Sequence, residues 1–338
     1  MSHDIRTLIR AEMQAVFPQY DTMVAEFYAM QEYHLGWRNR ALAPELADPG
    51  KLLRPIMTIL ASEIVGGTVE QALPLAAGIQ LLHDFSLIHD DIQDNSDLRR
   101  GRETVWSIWG IAQGINAGDG MFVLAHMAVQ RLVDVGVRAD RVLEIMRRFD
   151  RSILQICEGQ HLDMKFEGDS SISESAYIAM VTRKTAVLIA SCGELGALAG
   201  GANEHDARAL SEFGLHLGIA FQMQDDILGV WGDPAVTGKP LAADLTRRKL
   251  SLPVIHALGR EPEHGVIHRL YRTPVGDDQL IEAAITAMNQ SGAAEAVGAL
   301  VEQHYAQAYA ALARVRVVND RAYTQLRALA DGLLGRQV

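Results

Sequence analysis

The placement of proline limits the fold of this chain more than any other feature of its sequence. All ten prolines lie at or before Pro74 or at or after Pro234, so the long stretch between them contains no residue of this helix-breaking kind. Apolar residues recur in it at spacings of three and four, as in Leu81, Phe85 and Ile88, which is the pattern of an amphipathic helix. Signals for strands are scarce. We therefore expect an all-α protein with ten or more helices.

The sequence contains no Pro/Gly/Ser-rich linker and no repeat of fixed period. The length of 338 residues by itself is compatible with two domains. Because no linker separates two parts, we expect a single helical domain over residues 1–338. Hydrophobic residues make up 49% of the chain, which is ample for a large core.

Charge and cysteine content narrow the class of protein. The formal net charge of −11 argues against nucleic acid as a partner, since that affinity rests on a cationic surface. The two cysteines, Cys157 and Cys192, lie in apolar helical pattern, and we expect buried free thiols. No apolar run reaches the length of about 18–20 residues that a membrane span needs, and the first residues lack a signal-peptide pattern. We therefore expect a cytoplasmic protein with no membrane anchor.

The first segment with chemical content is residues 86–94, which read Ser-Leu-Ile-His-Asp-Asp-Ile-Gln-Asp. Asp90 and Asp94 are four residues apart and share one helix face, where like charges repel. A polyvalent cation removes this repulsion, and oxygen ligands without cysteine favour a hard ion such as Mg²⁺. Taken alone, the segment fits an acidic helix end facing solvent equally well.

A second segment, residues 221–229, repeats this design, with Asp225 and Asp226 at the end of an apolar helix. Gln222 and Asp225 lie on one face at a spacing of three. Two such helices facing each other would collect four or more carboxylates in one cavity, which is unfavourable unless metal ions occupy it. The pair of segments is therefore far more specific than either one.

Cationic residues accompany both segments, and each of them alone would be an ordinary solvated side chain. Together they are suitable partners for diphosphates, because arginine offers a bidentate fork and lysine a point charge. The set comprises Lys51, Arg54, Arg99, Arg100, Lys184, Lys239 and Lys249. Carboxylates, Mg²⁺ and cations without a candidate nucleophile suit a reaction in which a phosphate-bearing group leaves.

With these aspartate segments and cationic residues, the sequence resembles the trans-isoprenyl diphosphate synthase (polyprenyl synthetase) family. It is most similar to the short-chain geranylgeranyl and farnesyl diphosphate synthases of that family. The matching motifs follow one another in chain order: G-K-x-x-R-P at 50–55, D-D-x-x-D at 90–94, R-R-G at 99–101, G-Q-x-x-D at 159–163, K-T at 184–185, D-D at 225–226, and G-K-P with a following D-L at 238–245. One position departs from the family pattern, since Gly229 stands where the second motif has its last aspartate. Asp233 or water could replace this carboxylate.

The resemblance implies a helical bundle around a central cavity and a Mg²⁺-dependent prenyltransferase. Such an enzyme ionises an allylic diphosphate, joins the carbocation to isopentenyl diphosphate and loses a proton, giving a short-chain all-trans product. It implies a cluster of about three Mg²⁺ ions. The implied metal ligands are Asp90, Asp94 and Asp225, with Asp91, Asp226 and Asp244 as outer or occasional ligands.

The resemblance also assigns roles to the cationic residues. Arg99, Lys184 and Lys239 would grip the allylic diphosphate, with Lys249 as a weaker candidate. The implied isopentenyl diphosphate site comprises Lys51, Arg54, His83 and Arg100. Thr185 and Gln222 would flank the carbocation. His83 lies two helical turns before Asp90, on the same side, although a satisfied interior histidine is the alternative.

Product length is expected to depend on the helix that carries Asp90. Phe85 lies five residues before Asp90, ~7–8 Å deeper along the helix axis, and Leu82 and Ser86 lie beside it. In the family, a single aromatic residue at this position resembles enzymes that stop at geranylgeranyl diphosphate, with farnesyl diphosphate next. The alternative is that Phe85 is only a packing residue.

Three other functions remain open at this stage: a class I terpene cyclase on the same scaffold, a metal phosphohydrolase of the HD type, and a regulatory subunit of a hetero-oligomeric synthase. The family usually forms homodimers through apolar helix faces, and residues 115–127 are a candidate segment here.

Overall fold

The computed structural model describes residues 3–47, 50–233, 242–273 and 278–334. These residues are predominantly helical, and the prediction of an all-α fold with ten or more helices is confirmed. The α-helices are α1 (His3–Val16), α2 (Ala25–His34), α3 (Leu53–Ile64), α4 (Val69–Gln93), α5 (Val105–Trp109), α6 (Ile111–Gln130), α7 (Ala139–Phe166), α8 (Glu174–Val181), α9 (Val187–Ala199), α10 (Glu204–Trp231), α11 (Ala243–Thr246), α12 (Leu252–Leu258), α13 (Val266–Arg272), α14 (Asp278–Gln290), α15 (Ala293–Leu312) and α16 (Asp320–Leu334).

Short elements of other types complete the described chain. A 3₁₀ turn (Arg131–Val133) follows α6, and a π-helical turn (Thr182–Ala186) joins α8 to α9. Strands β1 (Leu98–Arg99) and β2 (Arg102–Glu103) form a two-stranded antiparallel hairpin in which Leu98 pairs with Glu103 and Arg99 with Arg102.

The helices group into two compact units. Unit 1 comprises Met1–Arg148, Leu195–Asn203 and Val317–Gln325, and unit 2 comprises Phe149–Glu194, Glu204–Arg316 and Leu326–Val338. The expectation of a single domain over the whole chain stays a prediction.

In unit 1, helix α4 packs against α1, α3 and α6. Its start is fixed by a capping box, in which the Thr68 side chain accepts from the Gln71 backbone and the Gln71 side chain accepts from the Thr68 backbone. Close packing against α6 depends on Gly78, because a Cβ atom there would lie 2.7 Å from Val129 Cγ2. The last turn of α4, which carries the first aspartate motif, is therefore held on a rigid and buried helix.

In unit 2, helix α10 packs against α15 and against the π-helical turn. Gly218 allows the close approach to the turn, since a Cβ atom there would meet the Ala186 backbone at 2.7 Å. The π-helical turn and the second aspartate motif are thus held together by packing within one unit.

Two expectations from composition can be compared with the structure. Cys192 is buried, but Cys157 is exposed, so the prediction of a buried thiol is wrong at that position. Cys157 lies in the apolar pattern of α7 but on a face that the helix turns to solvent. None of the described helices combines the length and apolar character needed to span a bilayer.

Candidate active site

The first aspartate motif occupies the C-terminal turn of α4 in unit 1. Asp94 caps the helix and donates its backbone N–H to the carbonyl of Asp90 at 2.8 Å, so the two residues lie one turn apart as the sequence predicts. The side chain of Asp94 is exposed. Asn95 adopts a left-handed conformation with φ of 50°, and the helix ends there.

Asp91, between these two aspartates, has a different environment. It is 1% exposed, and its Oδ1 atom accepts a 2.7 Å hydrogen bond from Nε of Arg99. Burial raises the pKa of Asp91, although the charge of Arg99 opposes this effect. Its second oxygen, Oδ2, is buried without a hydrogen-bond partner among the described residues. Asp91 therefore anchors the hairpin that follows the helix.

The hairpin presents Arg100 at its turn. Arg100 and Gly101 both have positive φ, 52° and 75°, as a two-residue type I′ turn requires. The Arg100 guanidinium lies beside Gly50. A Cβ atom built on Gly50 would be 3.5 Å from Cζ of Arg100. The structure thus brings the first G-K motif and the R-R-G motif together.

The other predicted cations of unit 1 lie near the start of α3. Leu52 precedes this helix in a left-handed conformation with φ of 48°, and Lys51 before it is exposed. Nη1 of Arg54 lies 3.2 Å from Nε2 of His83. Burial lowers the pKa of His83 well below its usual value, and the charge of Arg54 lowers it further. His83 is therefore neutral at pH 7 and accepts a hydrogen bond from Arg54.

A cavity of about 300 Å³ opens beside the hairpin in unit 1. Its wall includes Gly50, Asp91, Arg99, Arg100 and Arg102. Three guanidinium groups against two carboxylates, Asp91 and Glu103, leave this wall with an excess of positive charge, in contrast to the negative net charge of the chain.

In unit 2, Lys184 and Thr185 lie in the π-helical turn, an element that is frequent at functional sites. Gly159 of α7 packs directly on this turn, because a Cβ atom there would overlap the backbone of Lys184. The ammonium group of Lys184 forms a 2.5 Å ion pair with Asp163. The G-Q-x-x-D motif therefore positions the lysine, a role that sequence reasoning did not assign to Asp163.

Asp226 is a hub of hydrogen bonds within unit 2. It is fully buried, and its Oδ2 atom accepts from the Tyr177 hydroxyl and, at 3.3 Å, from the backbone N–H of Leu252. Its Oδ1 atom accepts from Gln222 at 3.2 Å and from Lys249 at 3.5 Å. Asp226 is thus committed to protein donors, and sequence reasoning missed Tyr177 because nothing in its local pattern marks it.

The neighbours of this hub include further predicted residues. The Thr185 hydroxyl donates to Oε1 of Gln222 at 3.3 Å, which places both side chains in one chain of hydrogen bonds. Lys249 also lies 3.8 Å from Oδ2 of Asp244. Desolvation opposes the positive charge of Lys249, but Asp226 and Asp244 outweigh it and raise the pKa of the lysine.

Asp225 lies on α10 one residue before the hub, and its side chain is partly exposed. Lys239, which the sequence predicts to bind diphosphate, lies outside the described residues.

The predicted chain-length residues occupy the middle of α4. Leu82 is 1% exposed, whereas Phe85 and Ser86 are partly exposed. The ring of Phe85 lies 5.2 Å from the ring of Phe122 on α6, and the Ser86 hydroxyl donates to the His83 carbonyl at 2.8 Å. Phe122 was missed because only the packing of α4 on α6 brings it next to Phe85.

The donor set fits Mg²⁺ by its chemistry. Within the part of the chain that the structure describes, no three His, Cys, Asp or Glu side chains come close enough to hold a metal by themselves. Mg²⁺ in enzymes is usually held by one or two carboxylates together with substrate phosphates and water. Pairs of carboxylates at helix ends suit this mode and would not form an all-protein cage.

An all-α fold whose aspartate-rich helix ends lie beside arginine and lysine side chains defines a class of enzymes that act on diphosphates. The comparisons identify the family: a model described as polyprenyl synthetase matches residues 37–288. The chain belongs to the polyprenyl synthetase family, and the predictions of this family and of a short-chain trans-prenyltransferase are confirmed.

Relatives and solved structures agree with this assignment. The geranylgeranyl diphosphate synthase of Mycobacterium tuberculosis is 37% identical over 316 residues, covering 93% of this chain and 84% of the relative. The crystal structure of a polyprenyl synthetase from Streptomyces coelicolor has a TM-score of 0.87 at 32% identity. The match covers 98% of this chain and 97% of the chain in that structure. The geranylgeranyl pyrophosphate synthase from Corynebacterium glutamicum, complexed with isoprenyl diphosphate and magnesium, has a TM-score of 0.82 at 27% identity and covers 99% and 98%.

Proposed function

We propose that this enzyme condenses isopentenyl diphosphate with an allylic diphosphate to give a short-chain all-trans prenyl diphosphate. The observation that carries the proposal is that each of two units holds an aspartate-rich helix end next to cationic side chains. Ionisation of an allylic diphosphate is difficult because the leaving group departs with its charge. Preorganised cations and hydrogen-bond donors stabilise such a charge most strongly where it develops.

The aspartates have two kinds of role in this proposal. Asp90, Asp94 and Asp225 would hold Mg²⁺, about three ions in all, and Asp244 would join them. Asp91 and Asp226 would be outer residues of the metal site that do not contact Mg²⁺ directly, because Arg99 and Tyr177 already donate hydrogen bonds to them. When bound, Mg²⁺ supplies Lewis-acid stabilisation of the departing diphosphate.

The cationic residues divide between the two substrates. Lys184, Arg99 and Lys239 would bind the allylic diphosphate, assisted by Lys249. The isopentenyl diphosphate would be bound by Lys51, Arg54, His83 and Arg100, and the contact between Arg54 and His83 supports this grouping. Thr185 and Gln222, which are joined by a hydrogen bond, would flank the carbocation. We assign no side chain as the base, since the released diphosphate can accept the proton.

We further propose geranylgeranyl diphosphate as the product, with farnesyl diphosphate as the alternative. The aromatic pair of Phe85 and Phe122 supports a product of limited length, because two packed rings form a firmer barrier to a growing chain than one ring alone. Two relatives from Mycobacterium tuberculosis carry the names of these two products, a geranylgeranyl diphosphate synthase at 37% identity and a (2E,6E)-farnesyl diphosphate synthase at 35%. The cytoplasmic location stays a prediction.

We also propose that a second copy of this chain covers the outer face of α6. Ile111, Ile115, Val123 and Met127 are 53%, 45%, 54% and 39% exposed along one i, i+4 row of this helix, which also carries the exposed Asp119. Apolar residues repeated along one helix face are typical of an interface between protein subunits. Val123→Glu should give a monomer in analytical ultracentrifugation, whereas Val318→Glu, at a valine that is 63% exposed outside α6, should leave a dimer. A monomeric wild-type protein would contradict the proposal.

Activity is tested by incubating the protein with isopentenyl diphosphate and each allylic primer, with and without Mg²⁺, and identifying products by mass. We expect an elongated prenyl diphosphate only when Mg²⁺ is present. Asp90→Asn and Asp225→Asn should each lower kcat by about 10²–10³-fold, the usual loss when a group that stabilises transition-state charge is removed. Asp140→Asn, at an aspartate whose side chain is 70% exposed, is the matched control. A cyclic hydrocarbon formed from one allylic diphosphate alone would contradict the proposal.

A further inference from the structure

Gly229 occupies an unusual place in the second aspartate motif. It follows Asp225 by four residues on α10, the same spacing that separates Asp90 from Asp94 on α4. A carboxylate at position 229 would therefore share a helix face with Asp225. Gly229 is buried and carries no such group, so the motif lacks its last carboxylate.

Another carboxylate fills this place. A Cβ atom built on Gly229 would overlap the side chain of Asp244, and its three nearest atoms would be Oδ2, Cγ and Oδ1 of that residue. Asp244 comes from the short helix α11, which begins after Ala242 in a left-handed conformation with φ of 53°. The carboxylate of Asp244 thus reaches α10 only because position 229 has no side chain.

The surroundings hold Asp244 there. It is 7% exposed, and its Oδ2 atom lies 3.8 Å from the ammonium group of Lys249, which also lies 3.5 Å from Asp226. The backbone carbonyl of Asp244 accepts from the backbone N–H of Lys249 at 2.9 Å. Any atom added at position 229 would have to move this carboxylate away from the helix.

We propose that Gly229 is a positioning residue, which makes room for Asp244 to supply the carboxylate that the second motif lacks. The inference rests on the proposed role of these aspartates toward Mg²⁺. Mg²⁺ requires oxygen ligands at 2.0–2.1 Å in a nearly ideal octahedron, so a displacement of about 1 Å is enough to lose a ligand. It follows that restoring an aspartate at position 229 alone impairs the site, although it restores the family pattern.

The test measures binding of inorganic diphosphate by titration calorimetry as a function of Mg²⁺ concentration, which needs no turnover. Gly229→Ala, Gly229→Asp and Asp244→Gly should each raise the Mg²⁺ concentration for half-maximal binding by about 10–100-fold, the usual effect of disturbing a metal's supporting shell. The double variant Gly229→Asp with Asp244→Gly moves the carboxylate to α10 and frees the space for it. It should recover most of the lost affinity.

The control is Gly298→Ala on α15, because a Cβ atom there meets no other atom within 4 Å. It should bind like the wild type. The proposal is overturned if Gly229→Ala binds as Gly298→Ala does, or if the double variant is no better than the single variants. Circular dichroism checks that each variant is folded. If Gly229→Ala does not fold, the proposal is tested by comparing diphosphate binding by Asp244→Gly with binding by the double variant. Wild-type binding that is independent of Mg²⁺ would instead contradict the proposed function.

Discussion

Removing the hydroxyl group of Tyr177 tests whether Asp226 is the structural hub of unit 2. Tyr177 is 3% exposed and donates to a carboxylate that is fully buried. In Tyr177→Phe, the Oδ2 atom of Asp226 keeps only the 3.3 Å hydrogen bond from Leu252. Hydrogen bonds to charged groups contribute about 1.5–3 kcal/mol, and the buried carboxylate cannot recover the loss from water. We expect the free energy of unfolding to fall by about this amount.

The matched control is Tyr309→Phe, which removes the same hydroxyl–carboxylate contact at an exposed position, where Tyr309 donates to Asp331. Because water can replace that donor, the expected change is about 0–1 kcal/mol. Urea unfolding at pH 7, followed by circular dichroism, gives both values from the midpoint and the slope. If Tyr177→Phe changes stability no more than Tyr309→Phe, Asp226 does not depend on this donor and the argument is refuted.

Three further predictions concern product length, pH and packing. Phe85→Ala should lengthen the product, because it removes one ring of the aromatic pair, and an unchanged product in chromatography would contradict the assigned role. The pKa of His83 in the folded protein lies well below the value of ~6.5 for an unfolded histidine. Just below pH ~6.5, therefore, only the unfolded state takes up a proton at this residue, and the free energy of unfolding falls as the pH falls. The loss between pH 7 and 5, measured by urea unfolding, should reach at most ~1.4 kcal/mol per pH unit and should be smaller in His83→Gln; an equal slope in the variant would rule out this contribution. Gly159→Ala should lower the melting temperature and weaken diphosphate binding because the added methyl group meets the backbone of Lys184, whereas Gly332→Ala, with open space around it, should do neither.

The aspartates show how far local pattern predicts a site. The spacing of Asp90 and Asp94 predicts that both lie on one helix face, and the structure keeps them one turn apart at the end of α4. The sequence cannot separate the roles of adjacent aspartates, because both members of each pair have the same neighbours in the chain. Only tertiary contacts bury Asp91 against Arg99 and Asp226 against Tyr177.

The sequence by itself determined the helical fold and the class of enzyme. Proline placement, the spacing of apolar residues and the i, i+4 aspartates act over one or two helical turns, so they can be read from neighbouring positions. The tertiary structure alone decided that Phe122 backs Phe85, that Asp163 holds Lys184, and that Asp244 enters the space at Gly229. These partners are separated by 15 residues or more along the chain, and no local periodicity specifies such contacts because they depend on how whole helices pack.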